Sequence, residues 1–385
     1  MNFKIKTETL IEYINLVAKA LPNKSPRPLS ESIKFSVKKD SIKIFANHKN
    51  LEIMTIVDTN IEVLAEGNAI LDGKTILNII KSPGVALHEE VQFIQISEYQ
   101  VLIIAGTSEF RLNALNYDLE HLIFEEDEKP IVISSEDLAI SLKEVVYCTA
   151  DPDAKPRIVC LTGVNFAFSE RRLTLTGSDN ARLAQKRLEV NSNKNLNLTI
   201  PAESIKELLK ILEQTKGDVE ISINPLCSKV LFVIKNVFFQ TAVLSDKYGN
   251  LNSATQFETK LSIPLKTVEF SNALKTISAV TDKSKSTYLI NFTLKPNKTC
   301  EVATSENGKG SSRAILIPAG EIYNQLSETF LMIFSLKHLQ EAISVYESLG
   351  IEELALEFYS NDRAVRITSL EEPELITLIT PLNNF

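Results

Sequence analysis

One pattern is written three times along this chain. "IKTETLIEYINLVAKAL" begins at Ile5, "ISSEDLAISLKEVVYCTA" at Ile133 and "IPLKTVEFSNALKTISAV" at Ile263, 128 and 130 residues apart. Each reads as a strand end, a polar stretch suited to a helix start, and then apolar residues at helical spacing. A second amphipathic helix is predicted in each copy, at "DGKTILNIIKS" (72 to 82), "PAESIKELLKIL" (201 to 212) and "SLKHLQEAISVY" (335 to 346), with Ile76, Ile205 and Leu339 in equivalent places. Between the helices, "IKFSVKKDSIKIFA", "VNFAFSERRLTLTG" and "YLINFTLKPNKTCEVAT" alternate apolar and polar residues around a turn, as hairpins do. Such a recurrence signals an internal repeat and decides the fold before any motif does.

The predicted fold class is therefore α+β, built from three tandem modules of two helices packed on antiparallel sheets. Their expected bounds are 1–127, 128–254 and 255–385, with joints at the polar runs "FEEDEKP" (124 to 130) and "NLNSATQFETK" (250 to 260). With 44% hydrophobic and 23% charged residues and no biased tract, all 385 residues are expected to fold.

Spaced polar residues near Met1 leave no apolar block for export, so a soluble, cytoplasmic protein is expected. Cys148, Cys160, Cys227 and Cys300 lie far apart without a CxxC pair, which suggests reduced thiols and no zinc site. The net charge of -8 and pI near 5.3 argue against holding nucleic acid by bulk electrostatics, so a DNA role needs local charge or topology.

Catalytic constellations are not found. His48, His88, His121 and His338 form no metal pair, and no GxSxG elbow is present. "ENGKGSSR" (306 to 313) lacks phosphate-loop spacing and reads as a hairpin tip, while "EEDE" (125 to 128) and "LEEPE" (370 to 374) read as solvated loop charge. Neither an enzyme nor a cofactor is expected.

"LTLTGSDNARLAQKRLEV" (173 to 190) packs Ser178, Asp179, Asn180 and Arg182 between alternating strands. Asp and Asn favour such a turn, and Ser178-Asp179-Asn180-Ala181 aligns with Ser305-Glu306-Asn307-Gly308 and with Asn47-His48-Lys49-Asn50 in the other copies. "LTG" at Leu161 followed by "SDNARLA" at Ser178 resembles the central-domain signature of the bacterial DNA polymerase III beta subunit family, the replication sliding clamps. The loop "KSPRPL" (24 to 29), "FRLNAL" (110 to 115) and a terminal strand running into Pro381 are similar to that family in the same order. The likeness extends over the whole chain.

That resemblance implies a ring of two chains, head to tail, with helices lining a hole around duplex DNA. It implies a non-catalytic DNA polymerase processivity factor whose partners are DNA, the DNA polymerase III catalytic subunit, the clamp loader, and repair and translesion polymerases. By the family pattern a peptide-binding pocket would use Leu161, Ser178, Asn180, Ala181, Arg182, Leu183, Gly249, Ala254, Leu378 and Thr380. Lys24, Arg27, Lys74, Lys206 and Lys210 would face DNA, and Phe110, Leu112, Ala279 and Val280 would meet in the homodimer. Ala181, Gly249 and Thr380 stand where the family usually has His, Pro and an apolar residue, so a weaker pocket is expected. The alternative is a hydrolase with carboxylates from two modules, distinguished by oligomeric state and retention on closed circular DNA; a repeat-built adhesion protein is disfavoured by the missing export signal.

Overall fold

Each repeat opens with a strand that leads directly into a helix. In this computed structural model, residues 1–22, 31–115, 124, 129–246, 248–249, 252–280, 288–304, 310–324 and 328–382 are described. The first repeat holds β1 (Asn2–Lys6), α1 (Thr7–Val17), β2 (Ser32–Lys38), β3 (Ser41–His48), β4 (Leu51–Val57), β5 (Ile61–Ala65), β6 (Gly67–Asp72), α2 (Gly73–Lys81), α3 (Pro83–Ala86), β7 (Glu90–Ser97), β8 (Gln100–Ala105) and β9 (Ser108–Asn113). The second holds β10 (Ile131–Ser134), α4 (Ser135–Val146), β11 (Gly163–Ser169), β12 (Arg172–Ser178), β13 (Arg182–Glu189), β14 (Leu196–Pro201), α5 (Ala202–Gln214), β15 (Asp218–Ile223), β16 (Lys229–Ile234), β17 (Val237–Ala242) and α6 (Asn252–Thr255). The third holds β18 (Leu261–Lys266), α7 (Thr267–Ile277), β19 (Leu289–Leu294), β20 (Cys300–Thr304), β21 (Arg313–Leu316), β22 (Phe330–Ser335), α8 (Leu336–Ser348), β23 (Glu353–Phe358), β24 (Val365–Thr368) and β25 (Leu375–Ile379).

The three leading helices share one backbone device at their start, and only α4 adds the polar side-chain cap expected from sequence, Ser134 Oγ accepting from Asp137 N–H at 3.3 Å. Lys6 and Lys266 precede α1 and α7 without a side-chain cap, and Thr7 and Thr267 are buried. Instead, the backbone N–H groups of Thr7, Ser135 and Thr267 donate to the carbonyls of Glu89, Gly217 and Glu352 at 2.9, 2.8 and 2.9 Å. These acceptors directly precede β7, β15 and β23, the partners of β1, β10 and β18, so strand pairing itself satisfies the helix start. The second helices use side chains where the sequence offers them. Asp72 accepts from Thr75 N–H at 2.7 Å, and Ser335 accepts from His338 N–H at 3.4 Å.

Two four-strand patterns recur in each repeat. One is the order β1-β7-β8-β9, β10-β15-β16-β17 and β18-β23-β24-β25; the other is β4-β3-β2-β6, β13-β12-β11-β14 and β21-β20-β19-β22. Four of these six sets fuse in pairs across repeats. Antiparallel pairing of β17 with β4 makes one eight-stranded sheet, and pairing of β13 with β25 makes another. The described chain accordingly groups into two units, Met1–Ala139 with Glu203–Val243, and Ile140–Ala202 with Leu244–Phe385. The middle repeat contributes to both.

Apolar faces of the sheets and helices close each core. In the first unit Phe3, Phe35 and Phe93 are buried, with the Phe3 and Phe93 rings 4.9 Å apart. In the second, Phe270, Phe292, Phe334 and Phe358 pack with Leu339, Ile343 and Tyr346 of α8. Full burial contributes about 1.5–3 kcal/mol per large apolar side chain. Among the described residues no helix is long and apolar enough to cross a membrane, and Cys148, Cys160, Cys227 and Cys300 are all free.

Candidate functional site

The turn between β12 and β13 is held by its own side chains. Asp179 Oδ1 accepts from the backbone N–H groups of Ala181 and Arg182 at 3.0 and 2.9 Å, and the Ser178 hydroxyl donates to the Arg182 carbonyl at 2.8 Å. Asn180 takes a left-handed φ of 73°, and the equivalent Lys49 between β3 and β4 takes 51°. The third counterpart, at Ser305 to Gly308, lies outside the described residues. Gly177 lets α4 approach this turn, since a Cβ there would meet the Val145 carbonyl oxygen at 2.2 Å.

Around the turn, neighbouring elements form one wall each. The Tyr248 hydroxyl accepts the Ser178 N–H at 2.9 Å and donates to the Gly163 carbonyl at 3.4 Å. Thr380 N–H donates to the Ala181 carbonyl at 2.8 Å, extending the β13–β25 pairing past the strand end. The result is a groove of about 320 Å³ lined by Ser178, Asn180, Arg182, Leu183, Ala254, Phe257, Arg363, Ala364, Leu378 and Thr380. Leu183 and Leu378 pair across β13 and β25, giving it an apolar floor.

Seven of the ten pocket residues named from sequence thus lie together. Leu161 does not line the groove; it is buried in a small cluster with Cys160 and Tyr248, behind the turn. Ala181 contributes its backbone to the pairing above, and Gly249 is exposed with open space where a Cβ would stand. Phe257, Arg363 and Ala364 were missed. Phe257 stands in a run read only as a joint, and Arg363 in the loop before β24, where periodicity carries no signal.

Arg182 is not the free cation its sequence position suggests. Its side chain is 8% exposed; Nε donates to Asp179 Oδ2 at 3.0 Å, Nη1 donates to Glu341 Oε2 of α8, and the guanidinium lies 5.5 Å from the Tyr147 ring centre. Burial pushes the nearby Cys148 thiol up to about 12, keeping it neutral beside this cluster. A second hollow of about 460 Å³ between α7 and α8 shares Glu341, but its Ser271 and Lys275 both bond Glu347, which lies outside its lining.

The other named residues are spread over the fold. Lys24 and Arg27 lie outside the described residues. Lys206 is exposed on α5, Lys210 bonds Glu207 at 2.7 Å, and Lys74 of α2 bonds Glu31 at 2.8 Å. Phe110 and Leu112 are half-buried on β9, an edge strand; Ala279 is exposed and Val280 half-buried just after α7. Among the described residues no three His, Cys, Asp or Glu are grouped to hold a metal.

The recurring sheets and the apolar groove define a binding protein of the clamp class. The comparisons agree. Residues 1–123 match the family model of the DNA polymerase III beta subunit N-terminal domain, and 132–250 match its central domain. The beta sliding clamp of Bacillus subtilis (strain 168) is 26% identical, with all of both chains covered, and that of Halalkalibacterium halodurans is 24% identical over 91% of this chain and 92% of its own. The sliding clamp structure from Bacillus subtilis superposes with a TM-score of 0.90 at 24% identity, and the beta subunit from Thermotoga maritima with 0.85 at 18%, each covering both chains fully. The chain belongs to the DNA polymerase III beta subunit family, the sliding clamps, which are processivity factors and not enzymes.

Proposed function

We propose that two copies of this chain close head to tail into a ring around duplex DNA, slide along it, and tether the replicative polymerase through the groove beside the 178–182 turn. The observation that carries the ring is the pairing rule of the sheets. The last strand of one repeat joins the fourth strand of another twice: β17 with β4, and β25 with β13. One strand of each kind is left as an edge, β9 and β21. Pairing β9 of one copy with β21 of the other satisfies the same rule and removes two exposed edges. Phe110 and Leu112 sit on β9, and Ile315 on β21 is 58% exposed, so both edges offer apolar surface. On this reading the modules are 1–127, 128–254 and 255–385, and Ala279 and Val280 border the joint.

Topology then holds the DNA, and an acidic chain suffices. Lys24, Arg27, Lys74, Lys206 and Lys210 supply weak phosphate contacts that permit sliding. The groove binds extended peptides that bury Leu or Phe anchors against Leu183, Leu378, Ala254 and Phe257, with Ser178, Asn180, Ala181, Arg182, Gly249 and Thr380 at its margin and Leu161 as support. Through it the clamp loader and the repair and translesion polymerases take turns, in the cytoplasm. Sedimentation tests the ring directly: native chain is expected to run as a dimer, and Phe110→Asp or Ile315→Asp as monomer. Charged substitutions at Ala279 and Val280 are expected to do the same. A dimer unchanged by all of these would overturn the β9–β21 joint.

A further inference from the structure

The groove has unlike charge on its two sides. Arg182, Ile379 and Val365 stand in register across β13, β25 and β24, so the two sides flank the central strand β25. On the β13 side the charges cancel: Arg182 meets Asp179 and Glu341, and the Lys337 ammonium lies 3.9 Å from Glu341. On the β24 side Arg363 lines the groove, its guanidinium 4.8 Å from the Tyr359 ring centre, and the Lys260 ammonium lies 4.1 Å from the same centre. Both cations are exposed, and no carboxylate of a described residue lies within ion-pair distance of either. Asp362, the nearest acid in sequence, takes a hydrogen bond from the Ser360 hydroxyl. An aromatic ring holds cations in place without neutralising them, which leaves their charge for a ligand.

We propose that Arg363, assisted by Lys260, determines specificity by recognising an acidic side chain that flanks the apolar anchors of the bound peptide. The inference rests on the reading of the groove as a peptide site and adds the chemistry of its partner. Two inter-strand steps separate the Arg182 and Arg363 sides, about 10 Å, which an extended peptide crosses in about three residues. An acid at that distance from the residue beside Arg182 meets Arg363, while the same acid at the other end meets only charges that are already paired. The polarity therefore also fixes the direction in which a peptide lies. A nucleic acid is a poorer match, because Leu183 and Leu378 form an apolar floor and the cations of the β13 side are already paired with carboxylates.

Calorimetry on the full chain tests this with amidated extended peptides that carry Leu and Phe anchors and have Glu or Gln three residues outside them, at either end. Glu at one end only is expected to tighten binding about two- to fivefold over Gln at low salt, with the difference shrinking at high salt. Arg363→Gln abolishes the preference, and Arg363→Glu turns it toward a Lys-bearing peptide. Equal affinity for Glu and Gln at both ends overturns the proposal, as does an unchanged preference in Arg363→Glu. A gain that comes only from a free terminal carboxylate overturns the side-chain assignment, and displacement of the peptide by single-stranded DNA overturns the choice of ligand. Failure of every peptide to bind removes the groove reading itself, a result distinct from binding without preference.

Discussion

Arg366 holds Phe257 twice: its guanidinium lies 4.3 Å from the centre of the Phe257 ring, and Nη1 donates to the Phe257 carbonyl at 3.4 Å. The same side chain donates to the Thr255 carbonyl at 3.0 Å and to Thr259 Oγ1 at 2.9 Å, while Glu357 takes Nε at 2.6 Å. One arginine thereby fixes the segment that supplies Ala254 and Phe257 to the groove. Lysine has neither the planar fork nor the donor count to replace it. Arg366→Lys is expected to weaken peptide binding about five- to tenfold, from the loss of one to two hydrogen bonds' worth of order. Calorimetry reads the affinity, and a melt on the same sample separates it from unfolding.

Thr380 is exposed at the groove margin, beside the buried Leu378. A hydroxyl there offers a peptide less apolar contact than a branched hydrocarbon would. Thr380→Leu is expected to tighten binding of a peptide with Leu and Phe anchors about three- to tenfold, at about 0.8 kcal/mol per methylene buried. Unchanged affinity would place the apolar anchors away from β25.

Lys186 is a stability determinant rather than a site residue. Its ammonium lies 3.2 Å from Glu144, which is 1% exposed, and 3.0 Å from Glu372. Burial raises the Glu144 pKa and Lys186 lowers it again. Lys186→Met leaves that carboxyl unpaired and is expected to cost about 3–5 kcal/mol in denaturant unfolding. Adding Glu144→Leu restores most of it, because the pair is removed together.

Much of this fold was legible in the sequence, and the reason is local. The three strand-to-helix starts, the second helices and the hairpins follow from periodicity within about 20 residues. Which strand joins which across repeats was not legible. Nothing in the alternation of β4, β13 or β21 tells that two find partners within the chain while the third remains an edge. The turn at Ser178 announced itself through Asp179 and Asn180, whereas Arg363 and Phe257 sit in irregular segments, the one placed against the Tyr359 ring and the other held by Arg366, more than a hundred residues from Phe257. The pairing of Arg182 with Glu341 likewise required α8 to be in place.

His338 gives the stability of the fold a pH dependence. Burial, and after it the Arg182 charge, lowers its pKa, while Asp179 and Glu341 oppose and Lys337 assists. The unfolded chain binds the proton near pH 6.5 and the native chain only at lower pH, so the unfolded state holds more protons between those values. Stability is therefore expected to fall as pH drops below about 6.5. His338→Gln should flatten that part of the melting-temperature profile, and an identical slope would assign it to another group.

Sliding without strong attraction is the central claim, and linearisation of the DNA tests it most directly. The native chain is loaded onto nicked circular DNA, passed through gel filtration at high salt, and compared before and after the circle is cut. Retention on the circle and release from the linear product are expected, since ionic contacts are weak at high salt and only topology remains. Equal retention on both forms would contradict it, and would mean that the chain holds DNA by ordinary contact.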